Sequence, residues 1–438
     1  MTAKFGNLAL QAAIGALAIG SPFVAHGQDT RVDPAIVFGE REVVEGASLS
    51  PDGKKLAYIT PMKGQGSVLM VVDLDPTPQA PRGVLKLDGE PNRMGNCNWT
   101  GNTRLLCSVY ASVMLNGDAT YANRMVAVDA AGGEPKILEV RKGGTGDRIG
   151  FALFGGGVID WNPSEDGYVM MIRDYIPQEN KASSGSGSLI AQKKAGLGVD
   201  LVDTRTLKGK TVEQPDLNAS EFISDGYGTV RVKAQRGQSG DYASDVRRYF
   251  YRKAGSDGWL AMSTVDSNQS EFDPHAVDAK LNVAYGLKRK DGRLAAYRFS
   301  LDGSNNETLV FAHPQVDVSG FVRIGRRDRV IGVRYVTDFG QVHYIDPDIE
   351  KMATALSRAI PQLPLIRVAD SSEDERKMLI WAGSDTNPGR YFLFDRDAKT
   401  LAPLLAVRPD ADSMTLGTMK PVTFAARDGT QVPGYLTL

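Results

Sequence analysis

Residues 47–59 read ASLSPDGKKLAYI, and after a short loop residues 67–74 read SVLMVVDL. Pro51-Asp52-Gly53 is a turn sequence, and the flanking segments are rich in β-branched and aromatic residues that alternate with polar ones, which is typical of strands joined by tight turns. A run at residues 83–87 adds a further strand. Four strands in about 45 residues predict one blade of a β-propeller.

Degenerate copies of this unit follow at irregular intervals, and counting them predicts about seven four-stranded blades. Their most recognisable strands lie at residues 98–109 and 124–129, 158–172 and 198–203, 229–232 and 248–251, 283–299, 330–345, and 378–394. A single blade cannot bury both faces of its sheet, so stacking the blades in a ring supplies the core. Six or eight blades stay open, because the third and fourth units are weakly marked. The predicted fold class is all-β.

The composition is that of an ordinary globular protein. The chain has 438 residues, of which 42% are hydrophobic and 24% are charged. The 51 basic side chains nearly cancel the 52 acidic ones, so no global field would hold nucleic acid or an acidic membrane surface. We therefore expect no nucleic-acid partner.

The first 27 residues differ from the rest of the chain. Lys4 precedes an apolar run over residues 8–19, and the segment ends in the small-residue sequence Ala25-His26-Gly27. These are the three parts of a secretory signal peptide, and the apolar run is too short to span a bilayer, which takes about 20 residues. We predict a signal peptide over residues 1–27, a periplasmic or secreted protein, and no membrane span after cleavage. A buried N-terminal helix is the alternative.

The two cysteines of the chain, Cys97 and Cys107, flank the turn-like sequence at residues 100–103. Opposed across a hairpin they could form a disulfide, which export would make chemically possible. The other interpretation is a pair of small apolar core residues. The sequence favours neither.

Two segments interrupt the strand pattern. Residues 183–188 read SSGSGS, which predicts a loop between blade strands, with a side opening or interface as the alternative. Asp346-Pro347 opens a helix that Pro361 ends, and apolar residues at 349, 352, 356 and 360 form one stripe. That helix is expected to pack against a blade edge.

The chain shows no metal-binding or cofactor-binding motif. His26 would leave with the signal peptide, and His275, His313 and His343 are not within ligand spacing of a second His or Cys. We interpret these three as structural histidines, with substrate binding as the alternative. Asp73 and Asp75 lie at a strand end beside a proline, where turn formation explains them better than paired-carboxylate catalysis.

A serine hydrolase needs a nucleophile elbow of the form G-x-S-x-G, which places the serine on a strained strand-to-helix turn. The chain has no match; the segment Gly237-Gln238-Ser239-Gly240 breaks the spacing and is loop-like. It also lacks a phosphate-binding loop and a dinucleotide fingerprint. No catalytic, cofactor-binding or metal-binding residue is therefore predicted.

A resemblance to a known family becomes specific at two places. Residues 47–59 resemble the first blade of the exported prolyl oligopeptidase family, which includes dipeptidyl and acylaminoacyl peptidases, although other periplasmic propellers use similar turns. Residues 421–438, PVTFAARDGTQVPGYLTL, resemble the hairpin with which that family enters its α/β-hydrolase domain. The helix at 346–361 resembles an insertion of proteobacterial members. The resemblance implies a lead-in at 28–46, a propeller at 47–420 and the first hairpin of a truncated hydrolase domain at 421–438.

The resemblance also implies a function. Members hydrolyse short peptides with a Ser-Asp-His triad, which would lie after Leu438, and the propeller gates access to it. This chain alone is then expected to be inactive. The dipeptidyl branch holds the substrate amine with propeller glutamates, but no matching Glu-Glu pair occurs here. The alternative is a non-enzymatic periplasmic propeller that binds a protein or peptide, since the same fold hosts both roles. The sequence carries no signal for an oligomeric state.

Overall fold

The computed structural model describes residues 33–115, 117–138, 156–163, 165–175, 195–239 and 242–438. The predicted signal peptide at 1–27 and the serine-glycine segment at 183–188 lie outside these described residues. The chain divides into two compact units, the first ending at Glu40 and the second running from Arg41 to Leu438. In the first unit, helix α1 (Pro34–Gly39) begins after Asp33, whose carboxylate accepts a hydrogen bond from the Ala35 amide at 2.9 Å.

The described residues of the second unit form seven propeller sheets, which are antiparallel and are each built from one continuous chain segment with its strands in sequence order, and a separate terminal hairpin. The first four sheets, blades 1 to 4, each have four strands. Blade 1 comprises β1 (Glu45–Leu49), β2 (Lys55–Pro61), β3 (Ser67–Asp73) and β4 (Arg82–Leu87). Blade 2 comprises β5 (Arg93–Trp99), β6 (Arg104–Leu115), β7 (Asp118–Asp129) and β8 (Lys136–Leu138). Blade 3 comprises β9 (Gly157–Asp160), β10 (Tyr168–Tyr175), β11 (Gly196–Asp203) and β12 (Gly209–Asp216). Blade 4 comprises β13 (Ala219–Ser224), β14 (Val230–Ser239), β15 (Tyr242–Tyr251) and β16 (Leu260–Val265).

The remaining sheets are blades 5 to 7. Blade 5 comprises β17 (Asp273–Asp278), β18 (Val283–Lys290), β19 (Arg293–Ser300) and β20 (Glu307–Phe311). Blade 6 has three strands, β21 (Val318–Ile324), β22 (Arg329–Val336) and β23 (Gly340–Tyr344), followed by helix α2 (Pro347–Ala359). Blade 7 comprises β24 (Leu365–Ser371), β25 (Lys377–Ser384), β26 (Asn387–Asp395) and β27 (Thr400–Ala406). The seven-bladed all-β propeller predicted from the sequence is confirmed.

The first strands of the blades stand side by side around the centre of the ring, and β1 lies next to β24. Hydrogen bonds join blades 1 and 7 where the ring closes: the Leu49 amide of β1 donates to Asp370 Oδ2 of β24 at 2.8 Å, and in the following turns the Glu373 amide donates to the Pro51 carbonyl at 2.8 Å. Blade 7 is built from residues 365–406 alone. The ring therefore closes through contacts between blades and not through a sheet shared by the two ends of the propeller.

The core lies between neighbouring blades, as expected for sheets that cannot bury both faces alone. Trp99, Leu69 and Leu105 fill the space between blades 1 and 2, and each is completely or almost completely buried. Leu49 and Leu379 pack in the same way where blade 1 meets blade 7.

Helix α2 is present as predicted and packs between blades 6 and 7. The Asp346 carboxylate caps it by accepting hydrogen bonds from the amides of residues 348 and 349, and Pro347 starts the first turn. Its buried residues Ile349 and Leu356 share a hydrophobic cluster with Ile331 and Ile380. The helix thus covers apolar surface after the three strands of blade 6.

A polar turn joins the first and second strands of blade 1 and recurs in blade 7. Ser50 Oγ bonds to Asp52 Oδ1 at 2.5 Å and accepts from the Lys55 amide at 2.9 Å. In blade 7, Ser372 Oγ bonds to Asp374 Oδ1 at 2.6 Å and accepts from the Lys377 amide at 3.0 Å. The turn needs only a serine and an acid two residues after it, so the same turn forms in blade 7 without the sequence Pro-Asp-Gly.

A separate two-stranded sheet follows the propeller: β28 (Met419–Ala425) and β29 (Gln431–Thr437). The Met419 amide donates to Asp385 Oδ2 at 2.8 Å, and the Tyr435 hydroxyl donates to the Asp338 carbonyl. The propeller strands run from Glu45 to Ala406 and the hairpin from Met419 to Thr437. The boundaries at 47 and 420 stay predictions.

Candidate functional site: the central channel

A cavity of about 430 Å³ lies at the centre of the ring. Every blade contributes to its wall through its first strand. One lining residue from each blade, in blade order, is Ser48, Asn98, Asp160, Glu221, His275, Arg323 and Asp370. The lining is therefore polar, and it carries side chains of both charges.

A charged cluster adjoins the wall where blade 4 meets blade 5, around the lining residue Glu221. The Tyr249 hydroxyl donates to Glu221 Oε2 at 3.1 Å. Arg247 lies between two carboxylates, with Nη2 3.3 Å from Asp273 Oδ2 and Nη1 3.7 Å from Glu221 Oε2. Burial raises the pKa of Glu221, and the hydrogen bond from Tyr249 and the charge of Arg247 oppose this. The wall thus presents a carboxylate next to a guanidinium, an arrangement that can hold polar groups of a peptide.

His275 projects from β17 onto this wall. Its Nε2 lies 3.9 Å from Asp273 Oδ2, and the Arg323 guanidinium donates to the His275 carbonyl at 2.7 Å. Burial lowers the pKa of His275; Asp273 opposes the shift, and Arg323 and Arg247 reinforce it. The imidazole is therefore neutral near pH 7. Of the predicted histidines, this one lines the channel.

The other histidines lie away from the channel, in an aromatic group formed by blades 5 and 6. His343 stacks on Phe311 with ring centroids 4.5 Å apart, and His313 stacks on Tyr335 at 5.1 Å. His313 Nδ1 also accepts hydrogen bonds from the amides of residues 315 and 316. These contacts are what a structural histidine makes.

The acidic pair at the end of β3 is held by basic neighbours. Asp73 bonds to Arg82, which lowers the pKa of the Asp73 carboxyl, and Asp75 Oδ2 lies 3.3 Å from Lys54 Nζ. Across the described ranges, no group of three or more His, Cys, Asp and Glu residues has the arrangement of a metal site.

Cys97 and Cys107 are direct partners in the register of β5 and β6, with their Cα atoms 4.0 Å apart. The two Sγ atoms are joined at 2.04 Å, and both residues are buried between blades 1 and 2. The geometry accommodates both sequence interpretations at once, because the pair fills core space and is close enough to be bonded. The disulfide in the native protein stays a prediction.

One end of the channel is crossed by two arginines from the turn between β21 and β22. Arg326 Nη2 donates to the Trp99 carbonyl and to the Trp161 carbonyl, the latter at 3.3 Å. Arg327 Nη1 donates to the carbonyls of Asn162 at 2.9 Å and Gly226 at 2.7 Å. We call these two arginines and the residues that they contact the channel floor.

The floor and the charged wall were missed by sequence reasoning, although a signal was present. Residues 323–329 read RIGRRDR, with four arginines in a segment that begins in a first strand and ends in a second one. Such a density of basic residues is unusual for a blade turn, where one or two polar residues complete the hairpin. No motif rule links this run to residues 99 and 161.

Fold and site together define the class of this protein: a seven-bladed propeller with a polar central channel, followed by a β-hairpin that is not part of the ring. No family model matches the chain. Dipeptidyl aminopeptidase BIII of Pseudoxanthomonas mexicana is 29% identical over 150 residues, which are 34% of this chain and 21% of that protein.

Two solved structures cover most of the chain. One comes from a structural and mechanistic analysis of two prolyl endopeptidases; it matches with a TM-score of 0.53 and 12% identity over 90% of this chain and 54% of that chain. The other is an acylaminoacyl peptidase from Pyrococcus horikoshii, with a TM-score of 0.37 and 11% identity over 90% of this chain and 50% of that chain. The chain thus spans about half the length of these structures.

The sequence relative and the shared propeller fold agree with the resemblance to the prolyl oligopeptidase family drawn from the sequence. The relative found by sequence is named as a dipeptidyl aminopeptidase, and the first of the two structures comes from a study of prolyl endopeptidases. Within the part of the chain that the structure describes, no helix has the length and apolarity needed to cross a membrane.

Proposed function

We propose that this chain is the substrate-gating propeller of an exported serine peptidase that hydrolyses short peptides. The observation that carries the proposal is the polar cavity of about 430 Å³ enclosed by seven packed blades. That volume is in the range of small-ligand pockets and would admit a few residues of an extended peptide. Blade contacts are packed apolar faces, so a folded protein could enter only by separating them, at a cost of about 25 cal/mol per Å² exposed.

The catalytic step is assigned to a domain that adjoins the terminal hairpin. In the described residues and in the whole sequence, no serine stands in a nucleophile elbow, so we propose that the Ser-Asp-His triad lies beyond Leu438. The hairpin β28–β29 supports this assignment, because Phe424 and Tyr435 are about half exposed at its surface. Apolar surface of this kind is usually covered by a partner or a further domain.

The charged wall suggests how a peptide would be held in the channel. Glu221 can accept hydrogen bonds from backbone amides or from a cationic group, and Arg323 can donate to carbonyls. Burial strengthens such bonds relative to those made in water. Short peptides that expose their backbone satisfy both groups at once, whereas a folded protein has already paired its backbone internally.

Export is proposed on the basis of the sequence of residues 1–27 and agrees with the close approach of Cys97 and Cys107. N-terminal sequencing of periplasmic material is expected to begin near Gln28. An intact Met1 would contradict export by a cleaved signal peptide.

The function is tested by comparing the full-length protein with the 438-residue chain. Both are treated with a phosphonate probe that labels activated serines, and hydrolysis of a short peptide is measured in parallel. We expect one labelled serine in the full-length protein, located after Leu438, and none in the 438-residue chain, because an unactivated serine is a poor nucleophile. A full-length protein that binds peptides but takes up no probe and cleaves nothing would instead be a binding propeller.

A further inference from the structure

The channel floor joins blades that are far apart in the ring. Arg326 belongs to blade 6, whereas its acceptors lie in blades 2 and 3: Trp99 ends the first strand of blade 2, and Trp161 directly follows the first strand of blade 3. In a ring of seven blades, the second and third are the farthest from the sixth. A side chain that makes both contacts must cross the central axis, so Arg326 lies across the mouth of the channel.

Arg327 closes the space beside it. Its Nη1 reaches the carbonyls of Asn162 in blade 3 and Gly226 in blade 4, and its Nη2 donates to Glu373 Oε1 in blade 7 at 2.9 Å. The Asn162 side-chain amide donates to the same Glu373 oxygen at 2.8 Å. The Arg327 guanidinium also lies 4.1 Å from the centroid of the Tyr227 ring. Five of the seven blades thus meet in one network.

The backbone packs closely at the same point. A Cβ atom added to Gly226, whose φ is +74°, would lie 2.7 Å from the Arg327 carbonyl oxygen. Only glycine tolerates both this approach and this backbone conformation without strain. The floor is therefore set by main-chain packing as well as by two long side chains.

Arg326 is buried, and the charges of neighbouring carboxylates favour its protonated form. Only 8% of Arg326 is exposed, and although burial lowers its pKa, Asp370, Glu373 and Asp160 act in the opposite direction. A guanidinium stays protonated in proteins. The nearest carboxylates are themselves anchored: Asp370 accepts from the Leu49 amide at 2.8 Å, and Asp160 accepts from the Ser224 hydroxyl at 2.7 Å.

The opposite end of the channel is where the chain enters and leaves the propeller. The Val43 amide donates to the Val407 carbonyl at 3.0 Å, next to the start of β1 and the end of β27. In an antiparallel blade, the loop between the second and third strands returns to this same end. The terminal hairpin contacts two such loops, at Asp338 and Asp385.

We propose that the channel is a blind-ended chamber: the Arg326–Arg327 floor bars passage, and peptides enter and leave only at the end that faces the terminal hairpin. This inference rests on the proposed peptidase function for its biological meaning, but the closure itself does not. It assigns Arg326 and Arg327 as the residues that exclude a route straight through the propeller.

A short cross-linker tests the closure in the 438-residue chain. Lys280 is exposed in the turn between β17 and β18, outside the floor, and Ala369 is exposed in the cavity, inside it. The variant K280C/A369C is treated with a bismaleimide of roughly 20 Å span, the length of about six strand residues. Such a reagent can pass through the floor end but cannot go around the outside of the ring. The Cys97–Cys107 pair is buried and does not compete.

We expect at least ten-fold more cross-linked peptide, by mass spectrometry, when R326A and R327A are added to this variant. Substantial cross-linking with the floor intact, or equal yields in both, would overturn the proposal. A monofunctional maleimide should label A369C in each background, which shows that the thiol is reachable from the open end. If the variant that lacks both arginines does not fold, the cross-linking yield is measured with R327A alone. Substantial cross-linking of K280C/A369C with the floor intact would overturn the proposal in either case.

In the full-length protein, a polyethylene glycol chain attached to K280C should change kcat/KM for a short peptide by less than about two-fold, because that end is already closed. A large loss would overturn the blind-ended chamber. Absence of any peptidase activity would contradict the proposed function and leave the cross-linking result intact.

Discussion

The two ends of the channel are built differently. At the floor end, the turns that follow the first strands are tied across the ring by Arg326, Arg327 and Glu373. At the other end, exposed apolar side chains include Met114 near the end of β6 and Phe339 in the loop after β22, and the terminal hairpin contacts two of the loops. Because blades 1 and 7 share no sheet, the floor also ties the ring together. One end is therefore locked, and the other presents a surface suited to a further domain.

The largest effect is expected from R326A. The substitution removes the charged donor to two carbonyl groups and the positive charge that favours ionised Asp370, which should lower the free energy of unfolding by about 3–5 kcal/mol. Denaturant unfolding measures it. K63A, in an exposed loop at the other end, is the control and should change stability by less than about 0.5 kcal/mol. Equal effects at both ends would contradict the idea of a locked floor.

The next effect concerns Cys97, which lies two residues before the floor acceptor Trp99. A disulfide to Cys107 closes a short loop, so the double variant C97A/C107A should lose about 2–3 kcal/mol of stability when compared with the oxidised protein. Mass spectrometry of non-reduced peptides tests the bond itself. Two free thiols in exported protein would leave only the interpretation as core residues.

A smaller effect is expected from E373Q. The Glu373 carboxylate pairs with Arg327, but 46% of its side chain is exposed, so solvent screens the pair and the loss should be about 0.5–1 kcal/mol. E165Q, in a neighbouring exposed turn, is a matched control that leaves the floor intact. A loss of stability as large as that of R326A would show that Glu373 contributes as much to the network as Arg326.

The smallest effect concerns how the free energy of unfolding depends on pH, and it involves His275 in the channel wall above the floor. The folded-state pKa of His275 is lowered by burial, so its contribution to stability is complete above the unfolded value of about 6.5 and is lost as the pH falls below it. H275Q should therefore lose less stability than the native chain between pH 7 and about pH 5. If the free energy of unfolding changes with pH in the same way for both proteins, His275 does not titrate as described.

The two ends also differ in how far the sequence predicts them. Strand and turn signals are local, so Pro51-Asp52-Gly53 and the helix signal at Asp346-Pro347 were sufficient to predict blade 1 and helix α2. In blade 4 the sequence marked only the second and third strands, at residues 229–232 and 248–251, because the first strand carries Glu221 toward the polar channel and lacks the apolar run that marks a buried strand.

The floor could not be predicted in the same way. Arg326 is separated from Trp99 by 227 residues and from Trp161 by 165, and the contacts exist only once seven blades form a ring. Local patterns predict the blades, and ring geometry determines which of their residues meet at the centre.

The measurement that tests the account most directly uses the full-length protein and a matched pair of substrates. One is a short peptide of up to about 30 residues, and the other is a folded protein that contains the same cleavable sequence in a structured region. If the propeller admits only short, flexible chains, the peptide is cleaved and the folded protein is spared. Equal rates on both substrates would contradict the claim that this propeller controls access to a peptidase site.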